Sequence, residues 1–211
     1  MRIAFVDGGT YYHHATFNDP ALRGYFDDSV YAPDLGRANL SAFDCLYVAS
    51  RQNPVDLIAA RQSIDDFLRA GKLVVALGES RADLWLDGVQ WRPGDVNFWW
   101  WREPGADSGL RVGDANHGLY ERISVTDAIW HRHGDLATPP GAVSIVDTVD
   151  GRSVLYDDAA TGQGRRIVST LDPCYHHGSY FMPAASRFLH GFLPWLKDGA
   201  PMRIHGVVAR K

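Results

Sequence analysis

Cysteine is scarce: the 211-residue chain contains two, Cys45 and Cys174. Two thiols are too few for a disulfide framework or a thiolate zinc site. They fit a reducing compartment, and a cytoplasmic location is expected. Long hydrophobic runs are missing as well, since nothing approaches the roughly 20 apolar residues of a membrane span. The first residues enter an apolar strand at Ile3 without the charged, apolar and small-residue order of a secretory signal. No membrane partner is expected. Positive charge is not in excess either: a formal net charge of -4 offers no electrostatic footprint for a phosphate backbone, so nucleic acid is not an expected partner. Internal repeats, low-complexity tracts and linkers are absent from the sequence. What is present is 45% hydrophobic and 22% charged residues, the balance of a globular protein. The length suits one domain over residues 1–211 with a sizeable core.

Short apolar runs closed by turn residues recur along the chain. Residues 3–6 precede Asp7-Gly8-Gly9, residues 43–49 precede Ser50-Arg51-Gln52-Asn53-Pro54, residues 73–77 precede Gly78-Glu79-Ser80, and residues 166–171 precede Asp172. Such runs are the pattern of central strands covered on both faces. Between the second and third, Leu57, Ala60, Ile64, Phe67 and Leu68 recur at helical spacing, with Pro54 suited to the first turn and Gly71 to the stop. Strand, crossover helix and parallel strand make a βαβ unit, and the chain is read as α/β with a mainly parallel sheet. In such sheets ligands bind beyond the carboxyl ends of the strands. Residues 85–160 are less regular and read as strands and loops added to the same domain. A final helix is expected over residues 183–196, with Phe188, Leu189, Phe192 and Leu196 on one face.

Three strand ends carry chemistry-bearing groups: Asp7, His13 and His14 in the loop after the first, Glu79 and Ser80 after the third, and Asp172, His176 and His177 in the loop after the last. His131 and His133, in Trp130-His131-Arg132-His133-Gly134, are placed to reach the same mouth. Asp7, Glu79 and Asp172 are acid/base candidates, the histidines are bases or ligands, and Arg51 is a candidate holder of an anionic group. Imidazoles with a carboxylate suit a divalent metal such as zinc, with His13, His14, His176 and His177 as the candidate ligands. The other reading is of loop histidines that hydrogen-bond, because no H-E-x-x-H pair is present. His190 and His205 read as structural or solvent-facing. Gly78-Glu79-Ser80-Arg81-Ala82 is similar to a nucleophile elbow, with Ala82 where a second Gly is usual. Ser80 with His176 or His177 and Asp172 would then form a triad, while the plainer reading has Ser80 capping the next helix. In Asn97-Phe98-Trp99-Trp100-Trp101-Arg102 the three consecutive indoles cannot all face one core in an extended segment. They are read as a flat platform for a sugar ring or nucleobase, or as cover for the sheet or a subunit interface, which would make the chain a homo-oligomer.

Several segments together resemble a known group. They are Asp7-Gly8-Gly9 with His13-His14, Phe43-Asp44-Cys45-Leu46-Tyr47-Val48 with the helix up to Gly71, Asn116-His117-Gly118-Leu119 with Asp127-Ala128-Ile129-Trp130, and the last strand with its His-bearing loop and aromatic helix. The chain resembles the class I glutamine amidotransferase-like superfamily, and within it the trehalose-utilisation (ThuA-like) branch. The resemblance implies a flavodoxin-like three-layer α/β/α fold with an elbow after Leu77. Glutamine-hydrolysing relatives carry a Cys nucleophile there; this sequence has Gly78 or Ser80, with the register open, and no Cys. Thiolate glutaminase chemistry is therefore not expected. The His that the ThuA-like branch often has near this turn is also absent, whereas His176 or His177 matches the superfamily's His loop. The implied function is binding of, or hydrolase or isomerase action on, a small polyhydroxylated, carbohydrate-like ligand. The alternative is a non-catalytic binding or assembly module that kept the fold and lost the nucleophile.

Overall fold

The computed structural model describes residues 1–94, 99–130 and 132–203. Asn97, Phe98, His131 and His205 lie outside the described residues. Among those described, ten strands form one sheet: Ile3–Asp7 (β1), Asp28–Tyr31 (β2), Cys45–Val48 (β3), Leu73–Ala76 (β4), Trp91–Arg92 (β5), Leu110–Val112 (β6), Asp135–Leu136 (β7), Val143–Thr148 (β8), Ser153–Asp158 (β9) and Arg165–Ser169 (β10). The apolar runs become strands because both of their faces are covered. Ile3, Phe5, Tyr47, Val75 and Ile167 face one side, Ala4, Val6, Leu46, Val74, Ala76 and Val168 the other, and all are buried. With period-2 alternation, a strand packed on both faces must be apolar at every position.

β2, β1, β3, β4 and β10 lie side by side in that order and are all parallel. Numbered among the parallel strands alone, the order is 2-1-3-4-5, that of a flavodoxin-like sheet. An antiparallel extension continues from β10 through β9, which also pairs with β8 and β7, while β6 joins β8 and β5 joins β7. This extension is what the irregular middle of the chain builds.

Five helices among the described residues cover the sheet: Tyr11–Asn18 (α1), Pro54–Ala59 (α2), Arg61–Arg69 (α3), Pro173–Gly178 (α4) and Pro183–Lys197 (α5). Leu57, Ile64, Phe67 and Leu68 of α2 and α3 pack on the Val6 face, and α5 buries Phe188, Leu189, Phe192, Leu193 and Leu196 on the Phe5 face. Each such side chain removed from water contributes about 1.5–3 kcal/mol. Gly191 lets α5 close on its neighbour, since a Cβ there would lie 2.3 Å from Ile123 Cγ2 and 2.6 Å from the Arg122 carbonyl oxygen.

Three local expectations are corrected. The single helix before Gly71 is divided at Ala60, although its apolar face runs on across the break. His13 and His14 belong to helix α1 rather than a loop. Thr10 caps that helix by accepting from the His13 amide at 3.4 Å, and its buried residues are the polar His13 and Thr16, so no apolar periodicity marks it. The segment after Asp172 is likewise helical, with Pro173 at the first position, where a missing N–H costs nothing. No described helix is long and apolar enough to cross a membrane.

Candidate functional site

The carboxyl ends of β3, β4 and β10 deliver Arg51, Glu79 and Asp172 to one rim of the sheet, and the segment leading into β7 adds Trp130 and His133. Asp172 is fully buried. It accepts from Arg51 Nε at 2.9 Å, His133 Nε2 at 3.1 Å, His176 Nε2 at 3.0 Å and Trp130 Nε1 at 3.3 Å. Glu79 accepts from His133 Nδ1 at 3.0 Å and lies 3.2 Å from Arg51 Nε. His133 thus faces a carboxylate from each ring nitrogen and is held as an imidazolium. Burial works against that charge, but the hydrogen bonds to Asp172 and Glu79 outweigh it and push the His133 pKa up to about 9. Burial likewise opposes ionisation of Asp172, yet the bonds from His133 and His176 hold its carboxyl well below the usual range. For Glu79 the His133 hydrogen bond is the largest influence and lowers its pKa against partial burial. Two carboxylates and two cations make a neutral cluster, the condition under which buried charge is tolerated.

The backbone around this cluster is strained. Arg51 has a φ of 62°, its guanidinium carbon 3.6 Å from the centre of the Tyr175 ring, and Arg81 has a φ of 51°. Non-glycine residues in this region cost on the order of 1–3 kcal/mol each and gather where surrounding contacts over-determine them. Gly78 takes the left-handed turn after β4, with a φ of 58°. A Cβ at that position would lie 2.7 Å from Ser50 Cβ and 2.9 Å from Asp172 Cβ.

Beside the cluster is a cavity of about 400 Å³ whose lining includes Glu79, Arg81, Asp83, Trp91, Arg132 and His133. Arg81 pairs with Asp83 through two 2.9 Å bonds and stacks over the Trp91 ring at 4.7 Å. The cavity therefore offers an aromatic face together with hydrogen-bonding and charged groups, the usual mixture of a small-molecule site.

The remaining candidates are distributed differently. His13 is buried, its Nδ1 accepting from the Gly8 amide at 3.0 Å and its Nε2 donating to the Ser50 carbonyl at 2.7 Å, so it braces the rim from beneath. Asp7 accepts from the Gly9 amide at 2.8 Å, and His14 is exposed beside Asn18. Ser80 is buried, and its hydroxyl has no hydrogen-bond partner among the described residues. It does not cap the short helix that follows, and neither His176 nor His177 is bonded to it, so the Ser80 triad is not assembled. Arg51, expected to hold a ligand's anionic group, is committed to Asp172 and Glu79 instead. Trp99 is largely exposed with Arg102 near its ring, and neither Trp99 nor Trp100 is part of the cavity wall; the side chain of Trp101 lies outside the description. The aromatic face of the cavity is Trp91, which the sequence reading missed along with Asp83; Glu79 and His133 were named candidates, and Arg81 and Arg132 stood within segments already singled out.

His177 turns away from Asp172. Its Nδ1 accepts from Ser186 Oγ at 2.9 Å and its Nε2 donates to Asp19 at 3.2 Å, tying α4 to α5 and the end of α1. Burial lowers its pKa, so the neutral imidazole serves this bridge. Ser186→Ala is expected to cost about 1 kcal/mol in urea denaturation, the net worth of one such bond, with the cavity unchanged.

A metal could be held by one group among the described residues: ligand atoms of Glu79, His133 and Asp172 lie within 4.8 Å of one another. His13, His14, His176 and His177 do not supply such a group. One imidazole and two carboxylates fit a divalent first-row ion, and to admit it the cluster would have to release the His133 proton.

The fold is that of an α/β protein whose parallel strands run in flavodoxin-like order, with the charged cluster at their carboxyl ends. Among solved structures the chain is similar to a Thermoplasma acidophilum protein assigned as one of the subunits of GMP synthase, with a TM-score of 0.56 and 13% identity over 94% of this chain and 96% of that one. At this identity the likeness is one of fold. No family model and no curated protein matches the sequence.

Proposed function

We propose that the cavity beside Glu79 and His133 binds a small polyhydroxylated, carbohydrate-like ligand on which this pair acts as proton acceptor and donor, in a hydrolase- or isomerase-type reaction. The observation that carries the reading is His133 bridging Glu79 and Asp172 at the cavity wall. Glu79 is ionised and partly exposed, able to accept from a ligand hydroxyl, while the His133 imidazolium can donate. Trp91 supplies a flat face for a sugar ring. The resemblance of the sequence to the ThuA-like branch points the same way.

The test is calorimetric titration with D-glucose, D-trehalose and myo-inositol. Glu79→Gln and His133→Gln are expected to weaken the binding of whichever of these associates by about tenfold or more, as loss of a hydrogen bond to a charged group does, with unaltered circular dichroism. Wild-type affinity in both variants would overturn the reading.

The packing around Gly78 favours a second reading, in which the chain binds its ligand without a covalent step. Gly78 itself has no room for a side chain, and the Ser80 hydroxyl is not bonded to a histidine base, so a protein of this fold can keep binding alone. Proton NMR of the same sugars separates the two: a new product supports acid/base action, and binding without conversion supports the module. A divalent ion held by Glu79, His133 and Asp172 is tested by titrating zinc and following the His133 ring signals.

A further inference from the structure

The charged groups around the cavity are matched in pairs, with one exception among the described residues. Arg81 is paired with Asp83, and Arg51 and His133 each lie within bonding distance of both Glu79 and Asp172. Arg132 is left over. Its guanidinium forms no hydrogen bond or ion pair among the described residues, and its Nε is buried and unsatisfied. Yet it is part of the cavity wall, next in sequence to His133. A guanidinium is always charged and presents donors in a planar fork that fits a carboxylate or phosphate. Leaving such a group partly desolvated without an acceptor is costly, and native structures seldom do so without a use for it.

We propose that Arg132 is the anion subsite of this cavity, so that the ligand carries a carboxylate or phosphate alongside its hydroxyl groups. The inference rests on the cavity being the ligand site and goes further by fixing the ligand's charge. An acid group docked on Arg132 brings the adjoining hydroxyl-bearing carbons to Glu79 and His133, while the paired Arg81–Asp83 and the Trp91 ring bound the rest of the space.

The experiment compares D-glucose, D-gluconate and D-glucose 6-phosphate by calorimetry, and inorganic phosphate alone by thermal shift, on wild type, Arg132→Gln and Arg132→Lys. Gluconate or glucose 6-phosphate should bind about tenfold or more tighter than glucose, the scale of a charge-assisted pair. Which of the two gains more identifies the carboxylate or the phosphate as the group. The ratio of anionic to neutral affinity should fall to about one in Arg132→Gln and stay above it in Arg132→Lys, which keeps the charge and guards against a folding artefact. Equal binding of glucose and its acids by wild type would overturn the anion subsite while leaving the sugar reading standing. Phosphate stabilising wild type but not Arg132→Gln, with no sugar bound, would uphold the subsite and remove the sugar. No response to any probe would overturn both.

Discussion

Asp172→Ala is expected to cost about 3–5 kcal/mol of stability, the range found when one partner of a buried ion pair is removed. The substitution takes away the acceptor shared by Arg51, His133, His176 and Trp130. What remains is a guanidinium and an imidazolium facing each other near a single, half-exposed Glu79. Asp172→Asn should cost less, because it keeps the shape and one acceptor and loses only the charge. Urea denaturation at pH 7 measures both. A loss below about 1 kcal/mol in the alanine variant would mean that the cluster is not held by its central carboxylate. The same group sets the acid limb of stability. Its folded pKa lies below its ordinary value of 3.8, so its contribution is complete at neutral pH and is lost progressively as pH falls below about 4. Asp172→Asn should flatten that limb.

Four of the five parallel strands, β1, β3, β4 and β10, were legible because they are built from apolar runs covered on both faces; β2 is a half-exposed edge strand with the sequence Asp-Ser-Val-Tyr and carried no such signal. Residues 3–6 and 73–77 announce themselves this way, and they coincide closely with β1 and β4. α1 was not legible, since its buried face consists of His13 and Thr16, residues that composition assigns to loops. β5 and β7 are two residues long, and what makes them strands is pairing across the sheet rather than any pattern along the chain. Attention to the strand ends led to Glu79 and Asp172 of the charged cluster, and to His133 through the Trp130–Gly134 segment. It could not separate His176 from His177, because neighbours on a helix point about 100° apart and only one can meet Asp172. Nor could a run of indoles reveal that the ring at the cavity is the isolated Trp91, a position decided by β5 pairing with β7. Arg51 was read as a ligand-holding cation. That its charge is spent inside the protein follows from Glu79 and Asp172 arriving from two other strands, a juxtaposition that has no signature in local sequence.

Stability should fall as pH rises from about 6.5 toward 9, and His133 is the cause. Its ordinary pKa is 6.5, and in the folded protein it is pushed up to about 9. Between these values the folded chain holds a proton that the unfolded chain has shed, so each increase in pH favours unfolding. The contribution is fully present below about 6.5, is lost through about 9, and amounts to something on the order of 3 kcal/mol over the whole interval. Neutral His133 can donate to Glu79 or to Asp172 but not to both, and the carboxylate left behind repels the other. Other groups bracket the interval. His177 has a lowered pKa, so its effect has the opposite sign and is finished by about pH 7. The buried thiol of Cys174, raised to about 11 by burial, removes stability only where an unfolded thiol ionises, above about pH 8.5. Denaturation midpoints between pH 7 and 8.5 therefore report His133 most directly. The wild type should lose stability steadily across this window and His133→Gln should not. A wild-type profile that stays level, or an equal slope in the variant, would mean that the imidazole is not the doubly bonded cation joining Glu79 to Asp172.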